Sequence, residues 1–414
     1  MNSDLRFKGN DDLRVEQSTQ ALLGIQVGFC VGGGIAATES IRVIRELRRM
    51  GAHVQVYATE AALRFVGRDS LEWASSQAVV SQASGLAEHI AQENLVVVFP
   101  ATCDLIAKMA HGHCPDACST YLQSALGQSL PVMVVPTMHD SLRNSPAFIK
   151  NLDLLRSYPG IQLIPPRVEE GKWKSPLPDE LVLELTHRYN KSKKQTADGP
   201  KTALVTLGGT ISKLDAARAI SNMSTGFLGT HVIRSLLENG IEVTALCGQI
   251  STTLSDCTGL EKFDCINFAE MQAQLQLRCQ QKKFDGFFHL AAVSDFGTEA
   301  DTNVKISSSS DQLTVTLKKL PKLISLPCLT SIPFRIACKF TASNSSAEQE
   351  KATELLIKND LQAVYWNWGE SAFGMSNDHT GLLLTNSGKK LAVTDKKDFA
   401  RFISTLFMNP NLEI

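Results

Sequence analysis

The feature that most constrains this chain occurs twice. Residues 22–31 (LLGIQVGFCV) form a mostly apolar run, as a parallel strand buried on both faces would. Gly32-Gly33-Gly34 follows. Residues 35–50 then carry a helical stripe of Ile41, Ile44 and Leu47, with Arg42, Arg45, Arg48 and Arg49 expected to face solvent. Gly51 stands where it would cap the helix, and residues 53–58 make the next strand. The order strand, glycine turn, helix, strand returns at residues 201–247: a strand to Leu207, a turn at Gly208-Gly209-Thr210, a helix entered through residues 221–226 and ending near Gly240, and a strand over 241–247. Further strands are expected at 95–100, 131–136, 284–293 and 363–367. This alternation, in a chain of 414 residues, predicts an α/β fold of two doubly wound, Rossmann-like domains. The expected boundaries are a mobile leader over 1–19, a first domain over 20–188, a polar linker over 189–200 (YNKSKKQTADGP) and a second domain over 201–414.

Composition narrows the partners. A formal net charge of −1 gives no basic excess for a nucleic-acid or membrane-surface binder. No apolar run reaches the roughly 20 residues of a membrane span. The polar start lacks a secretory pattern, which points to the cytoplasm. The ten cysteines then read as reduced thiols. Residues 111–118 (HGHCPDAC) concentrate metal-ligand types, but no second pair at zinc-finger spacing follows. They read as a loop beside a binding site, and no metal ligands are assigned.

In open parallel sheets the ligand lies beyond the strand carboxyl ends. Residues 32–37, 101–104 and 137–140 should therefore converge. Glycines at a helix start let a phosphate approach free N–H groups. The G-x-G-x-x-G fingerprint is absent, which counts against a nicotinamide-dependent dehydrogenase. Taken singly, other residues have plain readings. His89 alone is an ordinary histidine, Asn222 an N-cap, Asp295 a helix cap, Trp366 and Trp368 core aromatics rather than a base-stacking pair, and residues 191–194 a solvated linker face.

In order along the chain the motifs say more. Gly32-Gly33-Gly34-Ile35-Ala36-Ala37, Thr59-Glu60-Ala61-Ala62, Glu88-His89-Ile90 and Pro100-Ala101-Thr102-Cys103-Asp104-Leu105-Ile106-Ala107-Lys108 resemble the phosphopantothenoylcysteine decarboxylase flavoproteins over roughly residues 20–188. Ile220-Ser221-Asn222-Met223-Ser224-Thr225-Gly226, Ala291-Ala292-Val293-Ser294-Asp295-Phe296, Lys305-Ile306, Leu214-Asp215 and Arg218 resemble the phosphopantothenate–cysteine ligase domain commonly fused to them. The resemblance implies a bifunctional enzyme of coenzyme A biosynthesis. The second half would use CTP, with Mg²⁺, to join 4′-phosphopantothenate to cysteine. The first would decarboxylate the product with FMN. It further implies a homo-oligomer, catalytic roles for His89, Asn222 and Lys305, and FMN contacts at Gly32, Gly33, Gly34, Thr59, Ala101, Thr102 and Asp104. Substrate or nucleotide contacts fall to Met138, His139, Arg218, Ser224, Gly226, Ala292 and Asp295.

Four departures stand against this background. The family's Pro-x-Met-Asn, whose asparagine holds the substrate carboxylate, is Pro136-Thr137-Met138-His139 here. The first turn lacks the family's serine. The substrate clamp at residues 166–173 has no cysteine, so the reaction would stop at an enethiol unless another group protonates it. Lys-x-Lys-Lys has become Lys305-Ile306-Ser307-Ser308, with Lys318, Lys319 and Lys322 as candidate replacements. These losses define the rival reading: a flavin-binding, oligomer-forming homologue that has lost one or both activities.

Overall fold

The computed structural model describes residues 13–170, 172–194, 199–298, 305–307, 311–369 and 374–410. The chain divides into two compact units, residues 1–189 and 190–414.

The first unit is built on five strands: β1 (Gln26–Val31), β2 (His53–Ala58), β3 (Leu95–Ala101), β4 (Val132–Pro136) and β5 (Ile161–Leu163). Their order is β2-β1-β3-β4-β5 and every pairing is parallel. Seven helices accompany them: α1 (Ser40–Arg49), α2 (Arg68–Ser75), α3 (Cys103–His111), α4 (Ala117–Gly127), α5 (Asp140–Arg143), α6 (Pro146–Arg156) and α7 (Pro178–Lys193). One apolar layer, with Phe29, Val43, Ile44, Leu47 and Phe99, covers one sheet face. Another, with Val96, Val98, Leu105, Tyr121 and Leu122, covers the other. Burial on both faces is why β3 reads Leu-Val-Val-Val-Phe without alternation. A hairpin, β6 (Arg167–Glu169) and β7 (Lys172–Lys174), stands apart from the sheet.

The second unit holds β8 (Thr202–Leu207), the hairpin β9 (Ile211–Lys213) and β10 (Ala219–Ser221), α8 (Phe227–Glu238), β11 (Glu242–Cys247), β12 (Leu260–Asp264), α9 (Phe268–Gln281), β13 (Gly286–His289) and the hairpin β14 (Phe296–Thr298) and β15 (Leu317–Lys319). There follow β16 (Phe334–Thr341), α10 (Ser346–Lys358), β17 (Ala363–Trp368), β18 (Asp378–Thr385), β19 (Lys390–Asp395) and α11 (Lys396–Met408). The main sheet runs β12-β11-β8-β13-β16-β17-β18-β19, parallel from β12 to β17 and antiparallel over the last two pairs.

Four expectations need correction. Within the leader, residues 1–12 lie outside the described residues. Ser18 and Thr19 donate their N–H groups to the Arg49 carbonyl, and Thr19 is buried. They cover the orphan carbonyls at the end of α1. Arg48 does not face solvent but donates to the carbonyls of Ala74 and Leu13. The expected linker begins inside α7, which runs on to Lys193 with Tyr189 and Asn190 buried. Two buried side chains keep the polar run helical there, and residues 195–198 lie outside the described residues. The strand expected over 284–293 covers only 286–289. Beyond it, Leu290 and Ala292 donate instead to the carbonyls of Thr206 and Gly208.

Candidate active sites

In the first unit a cavity of about 1060 Å³ opens at the carboxyl edge of β1, β3 and β4. Gly33, Gly34, Ile35 and Ala36 line it after β1, Thr59 to Ala61 after β2, Thr102 to Asp104 after β3, and Thr137 to His139 after β4. The N–H groups of Gly33 and Gly34 meet no acceptor among the described residues, and the turn that follows is a helix start. Gly33 is required by space, because a Cβ there would lie 2.4 Å from that of Ala61. Thr102 caps α3, its Oγ1 accepting from the Leu105 N–H at 3.3 Å. Thr59 Oγ1 donates to the Val31 carbonyl at 3.2 Å. The far wall is apolar: Ile35 is 76% exposed into this region, and Leu142 and Trp173 line it as well. Trp173 lies on β7, packed under the Arg143 guanidinium at 4.0 Å, so the hairpin carries the expected clamp.

Charges around this cavity are largely spent on one another. Lys108 Nζ lies 2.8 Å from Asp104 and 3.3 Å from Asp116. Its pKa is raised by these two carboxylates against the cost of its own burial. Asp116 also caps α4 in a reciprocal box with Ser119. The candidate metal loop is thereby occupied otherwise. Asp116 serves as a cap, His111 Nε2 meets Asn151 Oδ1, and no metal-ligating group of three is present among the described residues. His139 caps α5, its Nδ1 accepting from the Ser141 N–H at 3.3 Å. The neutral ring therefore keeps its proton on Nε2.

Three candidates fall outside this lining. Gly32 donates to the Pro100 carbonyl, and a Cβ there would meet that oxygen at 2.5 Å, so its task is packing β1 against β3. Ala101 is buried at the end of β3. His89 is exposed on the irregular segment before β3, away from the cavity of its own chain.

The second unit has two adjoining cavities at the carboxyl edge of its sheet, about 760 Å³ and 140 Å³, which share Ala291, Ala292, Cys338 and Phe340. Asn222 lines the larger, its Nδ2 donating to the Ala292 carbonyl at 2.7 Å. The smaller is formed by Ser224 to Gly229 at the start of α8, with Asn367, His379 and Lys396 opposite. Gly226 has φ 75°, and a Cβ would lie 2.5 Å from Ile250. Asp295 forms an ion pair with Lys322 at the mouth of the larger cavity. His289 lines it from below. Its Nδ1 meets Thr206 Oγ1 at 2.8 Å, and burial, with the Lys322 charge, lowers its pKa to about 4.

Arg218 and Lys305 stand aside from these cavities. The buried Asp215 accepts from the N–H groups of Ala217, Arg218 and Ile306. These bonds, Ala217's first, hold its pKa below the usual range. Arg218 pairs with it at 3.2 Å and donates to the Ile306 carbonyl. Together they tether the segment bearing Lys305 rather than reach into the cavity. Trp366 is buried, donating its Nε1–H to Thr341 Oγ1 at 2.7 Å against Trp368, so that pair belongs to the core. Sequence reasoning passed over Lys339, Lys396 and His379, and met Trp173 only as the last residue of the clamp segment. None stands in a conspicuous motif, and only the fold brings them to a strand edge.

The fold and sites define a protein of two α/β units, each with a ligand cavity at its strand carboxyl ends, one walled by apolar side chains and one by lysines. The chain belongs to the DNA/pantothenate metabolism flavoprotein family, whose C-terminal domain matches residues 199–409, with the flavoprotein domain matching residues 15–190. It is 28% identical over 400 residues to a coenzyme A biosynthesis bifunctional protein of Thermococcus kodakarensis, covering 92% of this chain and 94% of that one. Its likeness to the bifunctional protein of Escherichia coli strain K12 is 28% over 399 residues, 91% and 95% of the two chains. Among solved structures it is similar to the DNA/pantothenate metabolism flavoprotein from Streptococcus pneumoniae, at 25% identity and a TM-score of 0.43, over 49% of this chain and 96% of that one.

Proposed function

We propose that this protein ligates 4′-phosphopantothenate to cysteine at the expense of CTP and decarboxylates the product with FMN, giving 4′-phosphopantetheine. The observation that carries the reading is the end-to-end match of both halves, in order, to bifunctional coenzyme A biosynthesis proteins.

In the first unit, the N–H groups of Gly33 and Gly34 would hold the FMN phosphate, and the Ile35, Leu142 and Trp173 wall suits its ring. A cavity near the roughly 300–1,000 Å³ range of small-molecule sites is large enough to admit it. Bound flavin supplies a reversible two-electron couple that no side chain offers. His139 presents Nε2–H where the family's asparagine presents its amide, and so would hold the substrate carboxylate. Cys103 is the one cysteine lining this cavity and takes the role of the missing clamp thiol as proton donor. His89 would serve the cavity of a neighbouring copy in a homo-oligomer.

In the second unit, the pantothenate carboxylate would displace pyrophosphate from CTP to give an acyl-cytidylate, and the cysteine amine would then displace CMP. Asn222 and the start of α8 would hold the reacting phosphates, with Lys305 as the family's catalytic cation. Mg²⁺ would arrive on the triphosphate itself.

The test is the visible spectrum of the purified protein, followed by incubation with CTP, 4′-phosphopantothenate and cysteine. Yellow protein that releases pyrophosphate and carbon dioxide supports the reading. Yellow protein that releases neither, beside an active control, supports the rival homologue without activity. A product lighter than phosphopantetheine by two hydrogens would mean that Cys103 does not protonate the enethiol.

A further inference from the structure

A lysine in the middle of a parallel strand is costly unless something holds it there. Lys339 lies on β16 in register with Trp366, which is buried, so both side chains stand on the sheet face covered by α10. The strand geometry explains why this position opens onto the cavity. β13 pairs with β16 only as far as Ala337, because it ends at His289. Residues 338–341 therefore overhang, and Cys338, Lys339 and Phe340 line the larger cavity directly. Lys339 is half-buried, and no carboxylate among the described residues lies within ion-pair distance of it.

Its surroundings repel rather than hold it. Lys322, Lys351 and Lys358 line the same cavity against two carboxylates, Asp295 and Glu354. Asp295 is already paired with Lys322, and Lys351 is paired with Glu348 at 2.6 Å. Lys339, like Lys358, thus has no ion-pair partner among the described residues, and it lines this cavity together with Asn222 and Ala292; four lysines against two carboxylates make an arrangement that a bound anion would relieve.

We infer that Lys339 is a phosphate-binding residue of the second unit, supplying positive charge that the sequence lacks after Lys305. The inference rests on the proposed nucleotide-dependent ligation and names the cation it needs. One Nζ–H group would donate to a phosphate oxygen of the nucleotide, in a partly desolvated site where such charge-assisted bonds are strongest.

The test is calorimetric titration of the full chain with CTP and, separately, with inorganic pyrophosphate. It compares the native protein with Lys339→Met, Lys339→Arg and the surface control Lys283→Met. Lys339→Met is expected to weaken CTP binding about 10- to 100-fold. Lys339→Arg should restore most of it, and Lys283→Met should change it less than twofold. Urea unfolding of the second unit at the native midpoint in Lys339→Met shows that the variant is folded. CTP affinity in Lys339→Met within twofold of native, or no binding of either anion by the native protein, overturns the inference. Lys339-dependent CTP binding without pyrophosphate release in the full assay upholds the inference and fails the proposed ligation instead.

Discussion

The two cavities sit at equivalent places in equivalent folds, yet their walls are opposite. In the first unit Lys108 is shared between Asp104 and Asp116, and Ile35, Leu142 and Trp173 complete an apolar wall. In the second, four lysines face two carboxylates, and Lys339 and Lys358 have no ion-pair partner among the described residues. The shared architecture supplies helix starts and strand ends. The side chains carried there decide whether the site suits a flat apolar ring or a polyphosphate.

The comparison breaks most completely at Gly33. Gly33→Val places a branched side chain where even a Cβ would lie 2.4 Å from the Ala61 Cβ. Flavin should be absent from the purified variant, seen as loss of the visible absorbance, while pyrophosphate release from CTP continues. Full flavin content in Gly33→Val would show that the first cavity is not where the cofactor sits. The counterpart is Asn222→Ala, which removes the bond to the Ala292 carbonyl and any contact of that amide with the reacting phosphates. Ligation should fall about 10²- to 10³-fold, as when one preorganised donor is lost, with decarboxylation of supplied intermediate unchanged. An equal fall in both reactions would erase the separation of the two sites.

The positions of the turns at the first site were legible in the sequence, and the reason is local. Strand, glycine turn and helix follow one another within a few residues, so the turns at 32–37, 101–104 and 137–140 announce their own positions relative to the sheet. Lys339 and Trp173 announce nothing. Each depends on a distant element: Lys339 on how far β13 runs beside β16, Trp173 on where the β6–β7 hairpin folds. Arg218 misleads for the opposite reason. Its motif is intact, but Asp215 and the Ile306 carbonyl hold it, leaving it outside the cavity. His89 cannot be placed from one chain, because its segment does not reach the cavity of its own unit.

A smaller effect comes from pH. The His289 pKa is lowered to about 4 by burial and the Lys322 charge, against an ordinary 6.5. The unfolded chain then binds the proton more readily. The stability this histidine contributes is complete above about pH 6.5 and is lost as pH falls toward 4, on the order of 3 kcal/mol in all. Urea unfolding of the second unit should therefore shift to lower midpoints between pH 6.5 and 4, and His289→Gln should flatten that dependence. Flavin absorbance, which reports on the first unit, should not follow the same curve. A common curve for both signals would mean that the two units unfold as one.

The smallest expected effect lies beneath the apolar cavity. Tyr57 and Tyr121 stack with ring centroids 3.7 Å apart, and their hydroxyls donate to the two oxygens of Glu93 at 3.1 and 2.7 Å. Burial, with nearby negative groups, pushes both phenols well above their ordinary pKa, so they remain donors across the working pH range. The pair packs β2 against α4, and β1 tolerates Tyr121 only because residue 28 is glycine. Tyr121→Phe keeps the stack and removes one bond to a charged acceptor, which should cost about 1.5–3 kcal/mol of stability and leave flavin content unchanged. Loss of flavin at such a small cost would show that the apolar site depends on packing beneath its floor. Tyr121→Phe should leave CTP binding at the lysine-lined site of the second unit unchanged, and a fall in both would tie the two sites together.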